Sequence, residues 1–98
     1  MEIEFRIFAN LRDILGFKEK SYNISLPITI QEFLKMIKNK EGNGEQFYSE
    51  IIDKKTQNIK SYVKIILDGQ ILFTEETLNT QITKKNQVIA VFPPVGGG

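Results

Sequence analysis

The residues with the clearest chemical potential stand at the end of the chain, where residues 93–98 read Pro-Pro-Val-Gly-Gly-Gly. Two successive prolines have no N–H group to donate to a sheet, so they end strand pairing and stiffen the exit from a folded domain. The three glycines that follow form a thin backbone without side-chain bulk. Such a segment can enter a narrow slot in a second protein. We therefore expect the carboxylate of Gly98 to be the reactive group of this protein.

The composition excludes most other chemistry on the chain. Its 98 residues include no cysteine and no histidine. Disulfides, thiolate metal sites, cysteine nucleophiles and histidine general bases are therefore absent. The remaining serine, threonine, lysine and carboxylate groups stand in no familiar catalytic motif. We predict a protein that carries a chemical group, binds no metal or cofactor itself, and is not an enzyme on its own.

Charge and hydropathy bear on which partners the protein has and where in the cell it works. The net charge is +1, and basic residues stand next to each other only at Lys54-Lys55 and Lys84-Lys85. A nucleic-acid surface would gather lysine and arginine on one face, so we expect no nucleic-acid partner. No stretch approaches the length of a membrane span, and the start of the chain lacks the basic and then apolar pattern of a signal segment. We expect a cytoplasmic location and no membrane partner.

The spacing of apolar residues predicts the scaffold that positions the tail. Alternation with a period of two residues predicts five strands, at residues 2–9, 19–26, 62–67, 70–73 and 88–92. Asp68-Gly69 is a strong signal for a tight turn between the third and fourth strands. Residues 10–16 favour a short helical turn, the middle of the chain hints at a further short helix, and residues 74–83 are predicted to be a loop.

One long helix is predicted between the second and third strands. Thr29 and Glu32 have the spacing of a capping box, in which each residue satisfies a free backbone N–H group of the other. An apolar stripe at helical spacing follows, and Gly42 is predicted to stop the helix. A sheet covered on one face by this helix is the economical way to bury these stripes. The sequence predicts an α+β domain of the β-grasp, or ubiquitin-like, class, with a mixed sheet of four to five strands packed on one main helix. Residues 1–92 form the domain and residues 93–98 the tail.

A candidate docking surface lies at the base of the tail. On the last strand, Ile89 and Val91 are predicted to face the core, which leaves Phe92 on the opposite face. Because the last strand should lie beside the first, Phe8 and Phe92 are expected to form one exposed apolar patch, which Ile71 extends. Aromatic residues on an exposed sheet face suggest a protein interface. The alternative is that a loop from the middle of the chain covers the two phenylalanines.

Two segments carry a resemblance to a known family. Residues 91–98, Val-Phe-Pro-Pro-Val-Gly-Gly-Gly, and residues 5–12, Phe-Arg-Ile-Phe-Ala-Asn-Leu-Arg, resemble the small subunit of molybdopterin synthase, a member of the ubiquitin-like sulfur-carrier family (MoaD/ThiS). The order of elements between them agrees. Two departures are visible: residues 39–61 are longer than in compact members, and Lys-Lys-Asn-Gln at residues 84–87 replaces the family's acidic, glycine-containing turn.

The resemblance implies a mechanism in which partners supply the catalysis. An adenylating (MoeB-like) enzyme uses ATP to activate the Gly98 carboxylate, a sulfur donor protein converts it to a thiocarboxylate, and the large (MoaE-like) subunit of molybdopterin synthase receives the tail. There the sulfur passes to a pterin precursor of the molybdenum or tungsten cofactor. The predicted site consists of Gly98 and Gly97 at the reactive end and, for partner binding, Phe8, Ile71, Phe92, Pro93, Pro94, Val95 and Gly96.

Other functions fit the same tail. A ubiquitin-like modifier would pass the activated carboxylate of Gly98 to a lysine amine of a target protein. A sulfur carrier for thiazole synthesis or tRNA thiolation would share the fold and the terminal glycines. A β-grasp binding module with an inert tail is the remaining alternative.

Overall fold

The structure, a computed structural model, describes residues 1–93. The predicted tail residues Pro94, Val95, Gly96, Gly97 and Gly98 lie outside the described residues. The elements, in chain order, are β1 (Glu2–Ile7), α1 (Asn10–Leu15), β2 (Glu19–Asn23), β3 (Ile28–Thr29), α2 (Ile30–Lys40), α3 (Gly44–Ile51), β4 (Lys64–Leu67), β5 (Gln70–Ile71), α4 (Thr74–Thr77), β6 (Gln81–Ile82) and β7 (Val88–Phe92). Among residues 1–93, no helix combines the length and the apolar character that a membrane crossing needs.

The main sheet has five strands in the order β2-β1-β7-β4-β5. The chain opens with an antiparallel hairpin of β1 and β2, and the last strand then returns parallel to the first, with Ile7 beside Val91. Strand β4 runs antiparallel to β7 on its other side, and a tight turn at Asp68 and Gly69, both with positive φ, leads into β5. This mixed sheet confirms the predicted β-grasp fold and puts the last strand at its centre.

The core lies between this sheet and the helices. The alternate residues Ile3, Phe5 and Ile7 of β1 are fully buried, as their spacing predicts. Phe5 lies at the centre of the core, with the ring of Phe33 on α2 at 5.5 Å and the ring of Phe47 on α3 at 5.8 Å, both edge to face. Edge-to-face pairs of this kind stabilise a core beyond the area they bury. The helices therefore cover one face of the sheet.

Helix α2 begins and ends where the sequence signals predict. The side chain of Thr29 accepts a hydrogen bond from the Glu32 N–H at 3.1 Å, and the Glu32 carboxylate accepts one from the Thr29 N–H at 3.0 Å, which completes the capping box. The helix ends at Lys40, Glu41 is its C-cap in an extended conformation, and Gly42 follows directly. The side chain of Glu41 is held by Tyr22 and Lys20 of β2, which ties this helix end to the edge of the sheet.

Residues 42–59 lie on the helix side of the sheet. The predicted short helix is present as α3, which packs against α1 and α2. Phe47 and Ile51 of this helix are fully buried, and Ile52 and Ile59, which form a short bridge beyond it, are also buried. This segment therefore completes the core and does not cover the opposite face of the sheet.

Residues 74–83 were predicted as a loop with a turn around Leu78; the turn is present, but the rest of the segment is not a loop. This segment contains the short helix α4 and the two-residue strand β6, which pairs with β3 so that Ile28 lies opposite Ile82. Ile82 is fully buried. Strands of two residues are too short to show an alternating pattern, and they form here because the tertiary fold brings them together.

Candidate functional site

The outer face of the sheet, opposite the helices, is defined by alternation along the central strand β7. Ile89 and Val91 are fully buried, as predicted, so Val88, Ala90 and Phe92 point away from the core. Ala90 is nevertheless only 9% exposed. It lies in the middle of the face, between Arg6 on β1 and Ile66 on β4, and its small side chain is overlapped by longer neighbours.

The structure brings Phe8 and Phe92 together at the end of this face. Strands β1 and β7 are parallel, and Ile7 lies beside Val91. Phe8 and Phe92, the residues that follow this pair, therefore lie side by side. The two rings stack at a centroid distance of 4.0 Å and an angle of 8°. Both side chains are partly buried. We call Phe8 and Phe92 the aromatic stack. Their role in partner binding remains a prediction.

Arg12 of α1 is an additional member of the site that the sequence analysis did not single out. Its guanidinium carbon lies 4.8 Å from the centroid of the Phe8 ring, and its Nε donates a hydrogen bond of 2.7 Å to the backbone carbonyl of Ile7. A cation over an aromatic face is attracted by the ring quadrupole. Lys64 of β4 lies beside Phe92 on the other side of the stack and is exposed. The aromatic stack therefore has positive charge on two sides.

Ile71 lies on the same face but farther from the tail. It is 61% exposed and pairs with Ile66, which in turn pairs with Ala90. The sequence analysis missed Ile66 and Phe73 as members of this apolar surface. The spacing of two residues between Ile71 and Phe73 was the available signal, because such residues share one face of an extended chain.

The exit of the tail follows directly from the position of β7. This strand lies between β1 and β4, and Pro93, its immediate successor and the last described residue, is buried. The described part of the chain therefore ends at the centre of the sheet, beside the aromatic stack. The roles predicted for Pro93 and for the residues after it remain predictions.

The most perturbed titratable groups lie elsewhere, on the helix side of the edge strand β2. The Tyr22 hydroxyl donates a hydrogen bond to Glu41, and the Lys20 ammonium contacts the same carboxylate at 2.9 Å. Burial, followed by the contact with Glu41, raises the pKa of Tyr22. Burial alone would raise the pKa of Glu41, but the hydrogen bonds from Tyr22 and Lys20 outweigh it and lower that pKa. We read this cluster as structural, since it ties the sheet edge to the end of α2.

Metal chemistry finds no support in the described region. Within residues 1–93, no three carboxylate side chains come together in a way that would hold a metal ion. Two further cations lie near the aromatic stack. Arg6 is paired with Glu4 and Glu19, and Lys18 lines the same shallow pocket as Phe8 and Arg12. The described part of the outer face therefore combines apolar side chains with positive charge beside the aromatic stack, which suits contact with a protein.

The fold is that of a small ubiquitin-like protein, and the aromatic stack at the end of its central strand is a candidate docking surface. The model of the ThiS family matches residues 5–98. This chain belongs to the ThiS family, and so to the small ubiquitin-like carrier and modifier proteins.

Individual relatives agree with this assignment. The chain is 24% identical to small archaeal modifier protein 3 of Haloferax volcanii, over 100% of both proteins. Small archaeal modifier protein 1 of the same organism has a similar structure, with a TM-score of 0.74, 19% identity and coverage of 100% of both chains. A protein of Pyrococcus furiosus described as a candidate molybdopterin converting factor, subunit 1, has a TM-score of 0.71 and 21% identity, over 97% of this chain and 99% of its own. At these identities the structural likeness establishes the fold.

Proposed function

We propose that this protein is a sulfur carrier for the synthesis of molybdopterin, working as the small subunit of a molybdopterin synthase. The observation that carries the proposal is the junction of two features. The central strand β7 ends in the aromatic stack of Phe8 and Phe92, and the glycine-rich residues 96–98 follow a few residues later. A partner that covers the stack therefore lies within reach of the end of the chain.

The reaction requires only the terminal carboxylate from this chain. A carboxylate oxygen of Gly98 attacks the α-phosphorus of ATP in the adenylating enzyme, and pyrophosphate leaves. The terminal sulfur of a persulfide on the donor protein then attacks the acyl carbon, and AMP leaves. Reduction of the resulting acyl disulfide by a thiol releases the donor and leaves the thiocarboxylate. Splitting one difficult transfer into easier covalent steps is the general advantage of such a carrier.

Each predicted residue has a role in this scheme. Gly97 and Gly96 have no side chains that would hinder entry into the partner, and Pro93, Pro94 and Val95 link them to the domain and contact the partner. The aromatic stack, with Ile71, supplies the docking surface. In this scheme the partners supply the bases and the cations that stabilise the adenylate, and this chain supplies the acyl group and the docking surface.

Protein modification is the second candidate function. It is favoured by the likeness to small archaeal modifier proteins over the full length of the chain. In that function the same acyl-adenylate would be transferred to a lysine amine, which forms an amide. The two functions share the first step and differ in the acceptor. A carrier for thiazole synthesis or tRNA thiolation would likewise differ only in the acceptor.

One reconstitution distinguishes these functions. The chain is incubated with the adenylating enzyme of the same genome, ATP and a persulfide donor, and its intact mass is measured. Exchange of one oxygen for sulfur at Gly98 supports the carrier, and a chain lacking residues 97–98 serves as the matched control. The large synthase subunit and the pterin precursor are then added. Loss of the sulfur with formation of product supports the molybdopterin function, whereas amide-linked Gly98 on lysines without consumption of precursor overturns it in favour of the modifier.

A further inference from the structure

The apolar surface of the outer face continues from Ile71 to Phe73 at the sheet edge. Phe73 is 76% exposed, more than any other large apolar side chain among residues 1–93. Leu72 packs against the core, and its N–H donates to the Ile65 carbonyl at 2.9 Å. Successive residues of an extended chain lie on opposite faces, and Ile71 pairs with Ile66 of the outer face. Because Leu72 packs against the core and Phe73 is also extended, with φ −73° and ψ 142°, we place Phe73 on the outer face with Ile71. Ile71 and Phe73 therefore form an exposed pair, which we call the edge pair.

The backbone under Phe73 is rigidly held. The Phe73 carbonyl accepts hydrogen bonds from the N–H groups of Glu76 and Thr77, both at 3.0 Å, and from the Thr77 hydroxyl at 2.7 Å. Thr77 is itself buried. An aromatic side chain on a fixed backbone has only two torsions to order on binding, so its conformational cost is low. The domain gains little stability from such an exposed ring, so its placement suits an anchor for a partner.

Positive charge lies beside the aromatic stack, and negative charge lies in the short helix α4 that follows the edge pair. Arg12 and Lys64 lie beside the aromatic stack, near the tail. Glu75 and Glu76 of α4 are exposed next to Phe73, at the edge farthest from β1. Complementary charge patterns select one orientation of a partner, because the reversed orientation would bring like charges together. An anionic lipid surface would be repelled by the two glutamates, and an edge-to-edge contact between two copies would bring four of them together.

We propose that the edge pair is a second anchor of the docking face, and that Phe73 enters an apolar pocket rimmed by lysine or arginine in the adenylating enzyme. This inference rests on the proposed function. The adenylating enzyme is the partner that both candidate functions require, since each begins with activation of Gly98. The aromatic stack and the edge pair contact it at two points across the sheet, and the charge difference between them determines the direction from which the tail enters.

The test is the rate of ATP–pyrophosphate exchange by the adenylating enzyme of the same genome, measured against the concentration of the carrier. Phe73→Ala should raise the half-saturating concentration roughly tenfold or more and leave the maximal rate unchanged, as for loss of a binding anchor. Phe73→Leu, which keeps an apolar side chain, should restore part of the affinity. Joint replacement of Glu75 and Glu76 by lysine should also weaken binding, whereas Glu50→Lys on α3, which lies on the helix side, should not.

Separate results identify separate errors. If the parent chain supports no exchange, the proposed function fails and the inference fails with it. If the parent is active and Phe73→Ala has the same half-saturating concentration, the edge pair is not an anchor, and the proposed function stands. A clear fall in the melting temperature of Phe73→Ala would make Phe73 a folding residue and overturn the inference. Sedimentation that shows a dimer of the parent and a monomer of Phe73→Ala would make the occupant a second copy and overturn it as well.

Discussion

The aromatic stack offers a way to separate a docking role from a folding role within one residue. The perturbation is Phe92→Lys, which removes one ring of a pair stacked at 4.0 Å and places a cation near Arg12 and Lys64. Val88→Lys is the matched control. Val88 lies on the same strand and faces the same side of the sheet, at the end away from the tail.

The expected loss of stability follows from the geometry of the stack. A stacked aromatic pair contributes about 0.5–1.5 kcal/mol beyond the area it buries. Phe92 is only partly buried, so the cost stays below the roughly 3–5 kcal/mol of removing a fully buried phenylalanine. We expect a destabilisation of about 1–2 kcal/mol, or roughly 4–16 °C in Tm for a domain of this size.

The expected loss of binding is larger. An aromatic anchor desolvated near the centre of an interface contributes about 2 kcal/mol or more, which corresponds to a roughly thirtyfold weaker Kd. Calorimetric titration with the large synthase subunit measures the Kd, and a melting curve on the same samples measures Tm. The reasoning is refuted if Phe92→Lys binds as the parent does. It is also refuted if the variant melts far below the expected range, since Phe92 would then belong to the core, or if Val88→Lys weakens binding equally.

Three further predictions concern the tail, the edge of the sheet and the main helix. Gly97→Val keeps the terminal carboxylate but widens the tail, so adenylation measured by pyrophosphate exchange should fall about a hundredfold at unchanged Tm; activity equal to the parent's would show that a narrow tail is unnecessary. Glu41→Gln should cost about 2 kcal/mol of unfolding free energy at neutral pH, because a charged acceptor of two hydrogen bonds is lost. Since the pKa of Glu41 is lowered in the folded state, its stabilisation is present above the ordinary value of 4.5 and is lost as pH falls through the folded pKa. Denaturant titrations at several pH values measure this, and a difference between Glu41→Gln and the parent that is constant with pH would contradict it. Tyr22→Phe, which removes only one of the two hydrogen bonds, should lower the unfolding free energy by less than Glu41→Gln does. Thr29→Ala removes the helix cap and should lower stability by about 1 kcal/mol, measured by the same titrations, and no change would mean that the capping box contributes nothing here.

Short-range sequence patterns predicted most of the fold. Alternation in β1 and β7 predicted which residues are buried, and the capping box at Thr29 predicted where the main helix begins, because both signals depend on neighbours within a few residues. Gly42 likewise marked the end of α2, which stops at Lys40 with Glu41 as its C-cap. The contacts of Glu41 with Tyr22 and Lys20, about twenty residues earlier in the chain, could not be predicted, because no local pattern reports such contacts.

The candidate site on the outer face also has features that local sequence patterns predict and features that only the tertiary fold determines. The sequence alone determined that Phe92 faces away from the core and that a thin glycine segment follows it, since strand alternation and backbone bulk are local properties. It also predicted that Phe8 and Phe92 come together, through the expected pairing of the first and last strands. Only the tertiary structure decided that their rings stack face to face, that residues 42–59 pack on the helix side, and that Phe73 is exposed at the sheet edge. Each of these features depends on strand register and on which segments meet in space. Such contacts join residues that are far apart in the sequence, so no local pattern can reveal them.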